Sequence, residues 1–107
     1  MHALPVEISE HLEAIRALCA KYHVTKLTLF GSAARGTFDR RTSDVDLIVQ
    51  FEWHPDPLER GRRYNELWRA LKRLLARKVD LLEVSTIKNP YLADSIRSAQ
   101  LDLYDAA

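Results

Sequence analysis

The chain has 107 residues, 47% hydrophobic and 29% charged, which suits one compact domain over residues 1–107 with a modest core and excludes a two-domain enzyme. Sixteen basic residues against fifteen acidic ones give a net charge of +1 with the histidines neutral, so direct nucleic-acid binding is not expected of the chain as a whole. Cys19 is the only cysteine, beside four scattered histidines, which excludes an internal disulfide and makes a poor zinc set.

The opening stretch, MHALPVEISEHLE, lacks the basic-then-apolar pattern of a secretory signal, and no apolar run approaches the about 18 residues of a membrane span. A cytoplasmic protein without membrane contact is expected. From Ile8 to Tyr22, Ile8, Leu12, Ile15, Leu18, Cys19 and Tyr22 recur at three- and four-residue steps, which predicts a helix with Ser9 as its N-cap. Lys26 to Phe30 reads as a strand stopped by Gly31, and Gly31-Ser32 as a tight turn leading into AARG, where a short helix could begin. Asp44 to Phe51, DVDLIVQF, predicts a mostly apolar central strand. Pro55 and Pro57 in EWHPDPLE mark a loop within the domain. Tyr64, Leu67, Trp68, Leu71, Leu74 and Leu75 predict a long helix from about Arg60 to Lys78. Val79 to Val84 is a third strand, Asn89-Pro90 opens a short helix towards Ala99, and Leu101 to Tyr104 is a last short strand. Alternating helices and strands point to an α/β (α+β) domain, a small sheet of three to four strands flanked by helices.

Within this frame the paired acids of DVD stand out. Side chains two apart on a strand point to one face, with Cα atoms roughly 6–7 Å apart, so Asp44 and Asp46 project together while Val45 turns to the core. Such a pair repels itself unless a cation intervenes, and Mg²⁺ favours oxygen ligands of this kind. Turn polarity beside Thr42 and Ser43 is the plainer explanation of DVD alone. Gly31-Ser32 shifts the balance, because backbone N–H groups at such a turn, with a Ser hydroxyl, form a concave donor set for phosphate oxygens. Neither GxGxxG nor GxxxxGK[ST] is present, which sets Rossmann and P-loop readings aside.

LFGSAARG, then SDVDLIVQF, then KVDLLEV together resemble the minimal nucleotidyltransferases (MNT proteins) of the DNA polymerase β-like superfamily, and the likeness runs over nearly the whole chain. The resemblance implies a palm core with a small mixed sheet. It also implies that Gly31 and Ser32 hold a triphosphate, that Asp44 and Asp46 bind metal, and that Asp80 is the third carboxylate, which binds the catalytic metal or accepts the nucleophile's proton. On a strand Asp80 shares a face with Leu82 and Val84, whereas Glu83 shares one with Leu81. Arg35, and with it Arg40 and Arg41, could neutralise phosphate charge, or be solvated surface arginines.

The activity so implied is transfer of AMP from ATP to a hydroxyl on another molecule, with two Mg²⁺ ions about 3.5–4 Å apart serving an in-line displacement. Proteins of this family are commonly paired with a HEPN-domain toxin, so the implied partner is such a toxin. The implied role is that of its antitoxin, adding AMP to a tyrosine. Two other readings stay open, namely an antitoxin that neutralises its partner by stoichiometric binding and a transferase acting on a small molecule. The acceptor is expected to bring its own docking surface, in a hetero- or homo-oligomer. Arg60 to Lys78 holds eight of the sixteen basic residues and one acid, Glu66. Arg62, Arg69, Lys72, Arg73 and Arg77 fall opposite the Tyr64, Leu67, Leu71 and Leu74 stripe, a solvated face or a surface for an acidic protein.

Overall fold

The structure, a computed structural model, describes residues 4–35, 44–84 and 100–106, apart from the side chains of Ser32 and Arg35. The expected helix from Asn89 to Ala99 lies outside these residues, as do Arg40, Arg41, Thr42 and Ser43. The described elements are α1 (Val6–Ser9), α2 (Leu12–Lys21), β1 (Val24–Phe30), α3 (Gly31–Arg35), β2 (Val45–Phe51), α4 (Pro57–Leu75), β3 (Val79–Glu83) and β4 (Gln100–Asp105). The strands form one mixed sheet in the order β3-β2-β1-β4, with β2 and β3 parallel and β1 antiparallel to both β2 and β4. The expected architecture, a small mixed sheet flanked by helices, is the observed one.

Several boundaries differ, each for a local reason. The first predicted helix is two: Ser9 is the last residue of α1, and its hydroxyl donates back to the Val6 carbonyl, so it closes a short turn rather than capping a long helix. β1 starts at Val24, two residues early, because Thr25 is the extra residue of a bulge: Val24 pairs with Phe51 and Lys26 with Gln50. The bulge lets the strand run two residues beyond the apolar stretch from Lys26 to Phe30 that marked it in the sequence. α4 begins at Pro57, not Arg60. The Asp56 carboxylate accepts from the Leu58 N–H at 3.0 Å, and Pro57 takes the first helical position, where its missing N–H costs nothing. The helix stops at Leu75 because Ala76 turns left-handed, at φ 53°.

One face of the sheet carries the core. Leu27, Leu29, Val45, Leu47, Val49, Val79, Leu81 and Leu103 meet Ile15 and Cys19 of α2 and Leu67, Leu71 and Leu75 of α4. Each fully buried branched side chain of this kind is worth about 1.5–3 kcal/mol. The sheet edges are covered too. Leu103 is the extra residue of a bulge opposite Leu27 and Thr28, and its carbonyl accepts from Arg16 Nε at 3.1 Å. On the other edge Trp68 Nε1 donates to the Val79 carbonyl at 2.8 Å and the Tyr64 hydroxyl to that of Leu81, which withdraws two carbonyls from any incoming strand.

Cys19 lies wholly within this core, and burial pushes its thiol up to about 12. The unfolded thiol ionises near its ordinary value of about 8.5. Above that value the unfolded chain binds fewer protons than the folded one, so stability is expected to fall as pH rises from about 8.5 towards 12. Denaturant midpoints at pH 8 and 10.5, compared with those of Cys19→Ala, read this contribution as a loss confined to the chain that keeps the thiol. At pH 8 a disulfide reagent should label Cys19 only as fast as the protein unfolds.

Candidate active site

β1 runs into the site through Gly31, whose φ of +71° turns the chain directly into α3. α3 is anchored by Ala33 and Ala34, both buried in the main core. A Cβ built on Gly31 would stand 3.1 Å from the Asp46 Cγ and overlap its Oδ2. Glycine is therefore required twice over, for the left-handed backbone and for the carboxylate packed against its Cα. The backbones of Ser32 and Arg35 follow within α3.

Asp46 is the second residue of β2, and Val45 before it is fully buried on the core side. In the register of the sheet Asp46 pairs with Phe30 of β1 and with Asp80 of β3. Gln100, Phe30, Asp46 and Asp80 thus form one row across four strands. Residues paired across neighbouring strands project from the same face. Asp46 and Asp80 are therefore neighbours on the face opposite the core, on strands about 4.8 Å apart. The parity that placed Asp80 with Leu82, and Asp46 opposite to Val45, is the observed one.

Asp44 precedes the first residue of β2, and its carboxylate lies 3.6 Å from the Lys78 ammonium. Among the described residues no three His, Cys, Asp or Glu side chains converge as a ready cation group. Asp46 and Asp80 are adjacent, and Asp44 is turned to Lys78. The donor chemistry still suits Mg²⁺, since all three groups offer hard carboxylate oxygens and two of them share a row in which like charges repel.

Beside Asp80 the sheet edge and α4 enclose a cleft of about 600 Å³, lined among others by Phe30, Asp46, Trp68, Lys72, Lys78 and Asp80. The Lys72 ammonium sits 4.0 Å from the centroid of the Trp68 ring. Tyr64 is held neutral in the cleft wall, its hydroxyl pushed up first by burial and then by the charges of Glu83 and Asp80. Sequence reasoning assigned Tyr64 to the core stripe and Lys72 to the solvated basic face. The available signal was the four-residue spacing Tyr64, Trp68, Lys72, which aligns the three on one helical ridge.

The basic face of α4 is also less basic than its sequence. Extending the helix to Pro57 brings in Glu59, and Arg62 donates to both Glu59 and Glu66. The bonds from Arg62 to Glu59 hold the Glu59 carboxyl down to about 2. Arg69 and Arg73 stay exposed. No helix among the described residues is long and apolar enough to cross a membrane.

The chain's residues 11–101 match the nucleotidyltransferase domain family. A relative in Methanocaldococcus jannaschii, named as a protein adenylyltransferase, is 41% identical over 76 residues, which is 71% of this chain and 73% of that protein. Among solved structures, one of a minimal nucleotidyltransferase superposes with a TM-score of 0.69 at 31% identity, over 94% of this chain and 96% of the other. A toxin-antitoxin structure containing AMP-PNP superposes with a TM-score of 0.66 at 25% identity, over 88% of this chain and 73% of the other. With the Gly31 turn, the Asp46–Asp80 row and these likenesses in agreement, the chain belongs to the nucleotidyltransferase domain family and is an enzyme of that class.

Proposed function

We propose that this protein transfers AMP from ATP to a hydroxyl of a partner protein, a tyrosine of a HEPN-type toxin, and that it acts in this way as the toxin's antitoxin. The observation that carries the reading is the row in which Asp46 stands between the Gly31 backbone and Asp80. In this reading the turn receives phosphate, Asp46 holds metal and Asp80 lies on the nucleophile side, so the row follows the line of an in-line displacement. The relative named as a protein adenylyltransferase and the neighbouring toxin-antitoxin structure with AMP-PNP support the choice of nucleotide and acceptor class.

In this reading the backbone N–H groups at Gly31 and Ser32, with the Ser32 hydroxyl and Arg35, receive the triphosphate. Asp44 and Asp46 hold Mg²⁺ ions, with Asp80 completing the nucleophile-side position. Ions held there would supply a lowered pKa for the entering hydroxyl and charge neutralisation for the departing pyrophosphate. Asp80 orients that hydroxyl and accepts its proton. The new bond joins the acceptor oxygen to the α-phosphorus as the bond to the β-phosphate oxygen breaks. Asp44 must leave Lys78 to take part, which a loss of this surface pair at 3.6 Å permits at small cost.

A second reading, which the neighbouring toxin-antitoxin structure supports equally, is an antitoxin that works by stoichiometric occlusion with its nucleotide site idle. Intact-mass measurement of the HEPN-type partner separates the two. The partner is incubated with ATP, Mg²⁺ and a few per cent of an equivalent of this protein. Transfer is expected to give increments of one or more AMP, lost when Mg²⁺ is chelated. A stable complex with no increment would establish occlusion, and neither complex nor increment would overturn the partnership.

A further inference from the structure

The cleft beside Asp80 is lined by two ammonium groups, those of Lys72 and Lys78, to which the transfer reading gives no role. Across this end of the sheet the order is fixed: the Gly31 turn closes β1, Asp46 stands on β2, Asp80 on β3, and beyond β3 come Trp68 and Lys72 of α4. An in-line displacement places the entering oxygen opposite the leaving one. With the leaving phosphates on the β1 side, the entering hydroxyl arrives from the β3 side, through the cleft.

That approach carries both signs of charge. Asp46 and Asp80 line the cleft, and so does Lys72, half-buried, its ammonium 4.0 Å from the Trp68 ring centroid and, among the described residues, in no ion pair. Lys78 adds a second ammonium, on a side chain 70% exposed and 3.6 Å from the Asp44 carboxylate. Lys78 lines the same cleft as Lys72. Phe30 and Trp68 add apolar ring surface to the cleft. A cleft that offers ammonium groups and aromatic surface complements a segment that brings carboxylates around a side chain of its own.

We propose, resting on the transfer reading above, that Lys72 and Lys78 select the acceptor: the hydroxyl that receives the nucleotide lies in a protein segment flanked by acidic side chains, which these two lysines bind. Both are positioning residues, since they touch the segment rather than the reacting atoms.

The test uses the full chain carrying Trp53→Phe, which leaves Trp68 as the only indole, with Mg²⁺ and AMP-PNP present. Two tyrosine pentapeptides are titrated while Trp68 emission is followed, one with two acidic residues on each side of the tyrosine and one with two lysines on each side. The acidic peptide is expected to bind at least about tenfold more tightly, with affinity that falls as salt rises. In Lys72→Gln, Lys78→Gln the two peptides should bind alike, while the circular dichroism and unfolding midpoint stay those of the parent. Equal binding by the parent, a preference that survives the double substitution, or no binding of either peptide would overturn the proposal. The transfer reading fails separately. Acidic preference with no AMP gained by any partner removes transfer and leaves the docking surface, whereas partner AMPylation with the same KM in the double variant removes the docking surface and leaves transfer.

Discussion

Asp46→Asn is expected to reduce nucleotidyl transfer by about a thousandfold or more while the protein stays folded. Asp46 is the one acidic side chain that touches both halves of the site, packed against the Gly31 Cα on one side and paired with Asp80 on the other. Asparagine keeps its size and one oxygen but removes the charge, and the electrostatic help of a bound divalent ion is worth several kcal/mol in the transition state. At about 1.4 kcal/mol per tenfold, that is three powers of ten. Asp44→Asn should fall as far, because in the transfer reading Asp44 would hold the ions together with Asp46. The measurement is the rate of AMP incorporation, with the unfolding midpoint as the check on folding. Transfer undiminished in both variants would sink the metal assignment.

Gly31→Ala should damage both stability and activity, and the two losses have separable causes. An alanine at φ +71° costs about 1–2 kcal/mol in backbone sterics. The added Cβ must also displace the Asp46 carboxylate, which it would overlap. A displacement of about 1 Å in such a group is enough to cost roughly a hundredfold in rate. Combining Gly31→Ala with Asp46→Ala removes the overlap with the carboxylate, leaving a contact of 3.3 Å to the Cβ at position 46 and the backbone strain. The double variant should therefore be more stable than the sum of the single losses predicts, by about 1 kcal/mol, as contacting residues commonly couple. Strict additivity in denaturant unfolding would show that the contact between Gly31 and Asp46 carries no energy.

The two experiments bear on different levels of the same design. A carboxylate substitution tests chemistry at a position the strand exposes, whereas the glycine substitution tests the turn that brings the phosphate side of the site against it. Both depend on β1 and β2 being antiparallel neighbours with Phe30 opposite Asp46. Loss of activity in Gly31→Ala with full activity in Asp46→Asn would place the catalytic importance in the turn alone.

Much of this was legible because strands and turns are local. The alternation in DVDLIVQF puts Val45 inward and Asp46 outward whatever β2 packs against, and the structure keeps that parity. Phe30 followed by Gly31 marked the end of β1, and the apolar spacing from Tyr64 to Leu75 marked the body of α4. The errors were at ends. Ser9 and Pro57 each have two local uses, closing one helix or opening another, breaking a helix or starting it. What decides between them is a hydrogen bond, from Ser9 back to Val6 or from Leu58 to Asp56.

The sequence by itself determined which residues are acidic and outward-facing, where glycine must stand, and that helices alternate with strands, since periodicity and side-chain chemistry are properties of neighbours in the chain. Tertiary structure alone decided that Asp80 lies beside Asp46 rather than at a distance. It also turned Asp44 towards Lys78 and built a cleft from Trp68 and Lys72 next to the two acids. Parallel pairing of β2 with β3 requires the whole of α4 to cross between them. The register that joins the carboxylates is therefore set by how that helix packs its buried leucines on the sheet, and no short window of sequence contains that information.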